Sequence, residues 1–224
     1  MKIGFKTLIW TVCGLVVFGA VLFWPAGTFN YWQAWVFLAV FVVATIAPSL
    51  YLARTDPAAL QRRMRSGPFA EGRTVQKFII IAAFLGFFAM MVVSAFDRRF
   101  GWSSVPAAVC VIGDVLVVTG LGIAMLVVIQ NSYAASTVRV EAGQKLASDG
   151  LYKLVRHPMY LGNVVLMTGI PLALGSYWAL LILVPGVLVL VFRILDEEKL
   201  LTEELVGYRE YRQRVRYRLV PYVW

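Results

Sequence analysis

The 224-residue chain is 60% hydrophobic and only 15% charged, with a formal charge of +9 and a mean hydropathy of +0.76. Soluble domains carry about a quarter charged residues, so this composition excludes an ordinary soluble domain and places the chain in a bilayer. The basic residues flank apolar runs instead of gathering on a polar domain, which assigns them to membrane orientation and argues against a nucleic-acid partner.

In chain order, Lys2 and Lys6 precede an apolar run from Thr7 to Trp24. It is longer than the core of a signal peptide and no small-residue cleavage site follows, so it reads as a first transmembrane helix. Cys13 lies inside it and Cys110 inside a later run. Free cysteine acts there as a small hydrophobe, with neither a disulfide framework nor metal-ligand spacing. Tyr31, Trp32 and Trp35 form an interfacial aromatic belt opening a second span, Tyr31 to Leu52.

Residues 54–77 form a polar loop. Asp56-Pro57 is a helix-start signal, an N-cap acid before a proline at the first helical position. Leu60 and Met64 among Arg62, Arg63 and Arg65 predict a short amphipathic helix at the headgroups, stopped at Gly67-Pro68. A third span covers Phe78 to Phe96. It is followed by Asp97-Arg98-Arg99, a short loop, and a fourth span from Val105 to Ile129. Gly113, Gly120 and Ala124 share one face of that fourth helix, where a neighbouring backbone can come close. Asp114 inside the same span reads either as a functional group or as a capped acid near the outer end.

Residues 131–156 are too polar to span. Two short apolar segments follow, Met159 to Leu174 and Trp178 to Ile194, separated by Gly175-Ser176-Tyr177. So short a turn predicts an antiparallel helical hairpin, which brings His157 and Arg193 to one membrane face. The tail from Lys199 to Trp224 is amphipathic. Leu201, Leu205, Tyr208, Tyr211 and Val215 follow helical spacing, and Arg214, Arg216 and Arg218 alternate. With the N-terminus cytoplasmic, only Arg98 and Arg99 of the 21 basic residues fall outside, so the positive-inside rule supports that topology. The expected architecture is an all-α, polytopic transmembrane bundle: a four-span region, 1–129, then a polar loop, hairpin and cytoplasmic amphipathic tail, 130–224.

The hairpin would join two halves of a site. One half offers Tyr152, His157 (the chain's sole histidine) and Tyr160; the other offers Arg193, Glu197 and Glu198. From spacing alone, Arg193 and Glu197 also read as an ordinary i,i+4 ion pair, and a lone histidine beside an arginine as a structural hydrogen-bonder.

RHPMYLG at 156–162, the carboxylate pair in RILDEEKLL at 193–201 and GYREYRQRV at 207–215 together resemble the isoprenylcysteine carboxyl methyltransferase family. More distantly they resemble the phospholipid methyltransferases that share this C-terminal core. The resemblance covers about residues 130 to 222; the first four spans are generic by comparison. It implies an integral membrane enzyme that binds S-adenosylmethionine at its cytoplasmic face and receives a lipophilic or small amphiphilic acceptor from the lipid bilayer. It also implies that Gln144, Lys145, Leu146 and Ala147, then Tyr152, then His157, Pro158, Met159 and Tyr160, and finally Glu197 hold the cofactor. Arg193 would contact the substrate. Thr137 aligns near a further cofactor contact. The family's Phe-Gly before the tail tyrosines is Val206-Gly207 here, with one extra residue after the glutamate pair.

A sulfonium methyl group is already activated, so transfer needs alignment more than acid–base help. Carboxyl O-methylation, with Arg193 as a bidentate clamp on the acceptor, is the favoured reaction, and it makes Arg193 the catalytic residue. A lipid amine or small thiol acceptor would require a base, His157 or Glu198. A nicotinamide-dependent membrane reductase and a non-enzymatic lipid-binding or transport protein are the other readings. For the last, no internal repeat is present.

Overall fold

The computed structural model describes residues 2–64, 69, 71–134, 137, 138, 140 and 143–224, with side chains from Cys13 onward. Eight α-helices follow one another in that region. They are α1 (Lys2–Ala26), α2 (Trp32–Thr55), α3 (Pro57–Met64), α4 (Thr74–Phe100), α5 (Ala107–Gln130), α6 (Pro158–Ala173), α7 (Leu183–Glu204) and α8 (Tyr208–Arg214). Short 3-10 turns lie at Gly150–Lys153 and Trp178–Ile182, and there is no strand among the described residues. Four helices are long and apolar enough to cross a membrane: α2, α4, α5 and the continuous helix Trp178–Glu204. Cys13–Ala26 and Pro158–Ala173 are shorter apolar helices. The molecule is an all-helical integral membrane protein, and its large exposed side chains, such as Phe78, Leu85, Val115, Val184 and Phe192, suit contact with lipid.

The tightest seam runs between α5 and α6. The small-residue face expected on α5 is met by Gly162 and Gly169 of α6. A Cβ added at Gly120 would lie 2.6 Å from the Gly162 carbonyl oxygen, and one at Gly113 would lie 2.1 Å from the Ala173 nitrogen. Two helices this close pack backbone to backbone, which only glycine permits. So α6 lies along α5, while α7 leans on α4 and meets α6 near the start of that helix, where Tyr160 reaches Arg193. The central core joins Leu22 of α1, Phe37 of α2, Met90 of α4, Val117 of α5 and Ile170 of α6.

Some boundaries differ from the sequence expectation. Asp97-Arg98-Arg99 continues α4 to Phe100, past the expected end of the third span at Phe96. Its charges are satisfied where they stand: Asp97 accepts from the Ser103 and Ser176 hydroxyls at 2.6 Å each. Arg98 donates to the Asn30 carbonyl at 2.9 Å. Gly101, with φ 65°, ends the helix in the left-handed conformation. The last membrane helix runs on to Glu204, past the expected end at Ile194, because the acids at 196–198 find cationic or hydroxyl partners.

Asp56 closes α2 and opens α3 together. Its N–H bonds to the Leu52 carbonyl, and its Oδ1 accepts the Ala59 N–H at 2.9 Å. In α3, Arg62 and Arg63 turn inward instead of lying along the headgroups. Arg62 donates to the Ser132 carbonyl and sits over the Tyr133 ring, and Arg63 reaches the Met159 sulfur at 4.0 Å. The expected stop at Gly67-Pro68, and Arg65, lie outside the described residues.

A leucine at Gly120 forces the α5–α6 seam apart and is expected to destabilise the protein by about 1–3 kcal/mol or more. Gly122, on another face of the same helix, has nothing within 4 Å of an added Cβ and should accept leucine with no change. Thermal unfolding of the two variants in detergent checks the pair.

Candidate active site

The chain order places the N-terminus of α1, all of α3, the described residues of 131–157 and α8 at one end of the bundle. The site forms there. Pro158 starts α6 at its first turn, where a missing N–H costs nothing, and His157 precedes it in a non-helical conformation. The backbone N–H groups of Arg156 and His157 donate to the carbonyls of Tyr217 and Arg218, both at 2.9 Å. The tail therefore runs beside the RHP segment and fixes its path.

Glu198 lies beneath this turn, 4% exposed. Its carboxylate meets Arg156 Nε at 2.8 Å, Arg218 Nε at 3.0 Å and His157 Nε2 at 3.3 Å. A carboxylate so surrounded is a charge hub and has little capacity left to act as a base. Arg156, also buried, adds bonds to the carbonyls of Arg212 and Val215.

Above the turn lies a pocket. Its wall includes residues 144–147, Tyr152, His157 to Tyr160 and Glu197, so all ten residues expected to hold a cofactor stand around one cavity. Thr137 lines it as well. Arg193 does not line the pocket but stands behind Tyr160. Its Nε donates to the Tyr160 hydroxyl at 3.0 Å, and that hydroxyl donates in turn to Glu197 Oε2 at 2.5 Å. The other edges of Arg193 meet Gln76 Oε1 at 3.0 Å and Glu71 Oε1 at 3.1 Å.

Several residues in and around the pocket escaped the sequence reading. Asn131 and Tyr133 line it just past the end of α5, and Asn131 donates to the Tyr152 hydroxyl at 3.2 Å. A polar residue immediately after a long apolar run was the available signal. Tyr208 and Tyr211 also line the wall, and the apolar tail stripe packs with Leu205, Val140 and Leu146. Glu71 and Gln76 carried no signal, since nothing in their spacing relates them to Arg193. Among the tail arginines, Arg218 turns inward to Glu198.

Tyr152, Tyr208 and Tyr211 of the wall are held as neutral phenols. Burial first, and the Glu197 charge second, push the Tyr152 hydroxyl up to about 12 against the opposing bond from Asn131. Burial likewise raises Tyr208, with Glu198 adding to it, and raises Tyr211. Tyr211 donates to the Tyr152 carbonyl at 2.8 Å. Thr137 Oγ1 and Tyr208 Oη are buried in the wall with no hydrogen-bond partner among the described residues.

Fold and site together define a polytopic helical membrane protein with a polar, tyrosine-lined pocket at one end of the bundle. Residues 108–209 match the model of the phospholipid methyltransferase (PEMT) family. The matched stretch runs from the start of α5 to the start of α8 and so contains most of the pocket wall. The chain is also 34% identical over 95 residues to Delta(14)-sterol reductase TM7SF2 of Mus musculus, an alignment covering 39% of this chain. It spans only 22% of that relative's length.

Removing the Glu198 carboxylate leaves Arg156 buried beside no counter-charge, so Glu198→Ala is expected to cost about 3–5 kcal/mol. Arg218→Ala, which removes a more exposed partner, should cost far less. Thermal unfolding midpoints rank the two.

Proposed function

We propose that the protein is an S-adenosylmethionine-dependent membrane methyltransferase whose cofactor sits in the pocket above the RHP turn. The observation that carries this reading is the gathering of the ten expected residues around one cavity within the family-matched stretch. The donor set fits the cofactor. Thr137 Oγ1 and Tyr208 Oη are buried polar atoms in want of a partner, which a ligand rich in amino, carboxylate and hydroxyl groups supplies. The rings of Tyr152, Tyr208 and Tyr211 offer flat faces for an adenine base. Glu197 offers the wall's carboxylate to an ammonium or ribose hydroxyl.

Bound there, S-adenosylmethionine supplies an electrophilic methyl group whose transfer leaves the S–C bonding electrons on sulfur. The chain's part is alignment. Glu198 holds Arg156 and His157, and through them the start of α6, in one geometry. Arg193 holds the Tyr160 hydroxyl, which holds Glu197. The acceptor is a lipophilic or amphiphilic molecule drawn from the bilayer, since the pocket lies at the end of a bundle whose flanks are apolar. We place this end on the cytoplasmic side, because the helix order leaves Arg98 and Arg99 as the basic residues at the opposite end.

The reductase relative favours a second reading, nicotinamide-dependent reduction, and one experiment separates the two. Calorimetry on the detergent-purified protein should show S-adenosylhomocysteine binding to wild type and loss of binding in Glu197→Ala. No binding by folded wild type, with binding of NADPH instead, would overturn the methyltransferase reading.

Tyr208→Phe and Thr137→Val remove atoms that bond to nothing among the described residues, so neither should lower stability. Each should weaken S-adenosylhomocysteine by about 0.5–1.5 kcal/mol, the worth of one hydrogen bond. Melting curves and titrations on the same samples check both halves.

A further inference from the structure

We propose that Glu71 is a specificity-determining residue: it keeps the Arg193 guanidinium from clamping an acceptor carboxylate, so that the favoured acceptor brings a head group without negative charge. This rests on the methyltransferase reading above and deepens it. Glu71 stands in the segment before α4, outside the family-matched stretch.

The fork that a bidentate clamp would use is already engaged. Arg193 Nη2 meets Glu71 Oε1 at 3.1 Å, Nη1 meets Gln76 Oε1 at 3.0 Å, and Nε meets the Tyr160 hydroxyl. Arg193, Glu71 and Gln76 are 6%, 3% and 0% exposed. The Glu71 contact is anchored from its other side, since Oε2 accepts the Val138 N–H at 3.1 Å, and Val138 is part of the pocket wall. Gln76 is fixed as well: its Nε2 donates to Asp196 Oδ2 at 2.6 Å, and Asp196 pairs with Arg73 at 2.8 Å. An acceptor carboxylate could reach the fork only by expelling Glu71, which would strand a buried charge and strip a bond from the pocket wall.

The charges agree with the geometry. Around Tyr160 stand Arg193, Glu71 and Glu197, one positive against two negative, while Asp196 and Arg73 neutralise each other. Glu198 is matched by its own arginines. Arg193 is thus already matched by the chain's own carboxylates, so an anionic head would meet Glu71 and Glu197 beside it, while a neutral or cationic head would not be repelled by them. In transfer to an amine or thiol, the ammonium or thiol first gives its proton to solvent. The lone pair so freed forms the bond to the methyl carbon as the S–C bond breaks, and sulfur keeps the electron pair of that broken bond.

The test compares methyl transfer from radiolabelled S-adenosylmethionine to palmitate, hexadecylamine and hexadecanethiol, which share one alkyl chain, in mixed micelles. Wild type should favour the amine or the thiol over palmitate. Glu71→Gln should raise kcat/KM for palmitate relative to the other two by about tenfold or more in protein that still binds S-adenosylhomocysteine, and Glu71→Asp should restore the wild-type order. Preference of wild type for palmitate, an unaltered ratio in Glu71→Gln, or no transfer to any head by protein that binds S-adenosylhomocysteine would each overturn the proposal. Failure of folded wild type to bind S-adenosylhomocysteine would instead overturn the reading on which it rests.

Discussion

One buried carboxylate holds the functional end of this molecule together. Glu198 sits where α7, the RHP turn and the tail converge, and from α7 it holds the turn through Arg156 and His157 and the tail through Arg218. A charge in that position is tolerable only with its partners in place. The demand runs both ways: each partner is anchored by the carboxylate, and the carboxylate is desolvated by the elements the partners belong to. The conformation of the pocket floor is thereby tied to the docking of the tail. His157, at the centre, is a member of the hub as well as of the wall.

The second constraint is steric. The close approach of α5 and α6 through Gly113, Gly120, Gly162 and Gly169 sets where α6 begins, and so where His157 and Tyr160 stand relative to Asn131 at the end of α5. Backbone contact allows little sliding, which suits a site whose chemistry is alignment. The opposite end is closed by a smaller polar set. Tyr31 donates to the Leu174 carbonyl at 2.6 Å, and Asp97 joins Ser103 and Ser176.

Much of this was legible in the sequence, for identifiable reasons. Long apolar runs mark spans because every backbone group must be satisfied within the helix. The α5 glycines were readable because residues seven apart share a helix face, and Asp56-Pro57 because capping is local chemistry. The RHP turn and the glutamate pair stood out because a bilayer-spanning chain tolerates such charge only with partners. Three things stayed hidden. Asp97 to Arg99 fell beyond the expected end of the third span because their partners, Asn30, Ser103 and Ser176, come from other connections. Arg62 and Arg63 read as headgroup contacts because nothing local shows that residues 132 and 159 lie beside them. The engagement of Arg193 by Glu71 and Gln76 depends on a tertiary approach between α4 and α7 that no periodicity encodes.

The pairing of residues 156–157 with 217–218 also orders events in time. During synthesis every membrane helix emerges before residues 217 and 218 do. The bundle can therefore insert and pack while the backbone donors of the RHP turn still face water and the Glu198 hub still lacks Arg218. Completion of the pocket becomes a late event that follows insertion, as expected when a chain folds from its N-terminal side. A nascent chain stalled short of this point would be a membrane-embedded bundle with an open, half-built site.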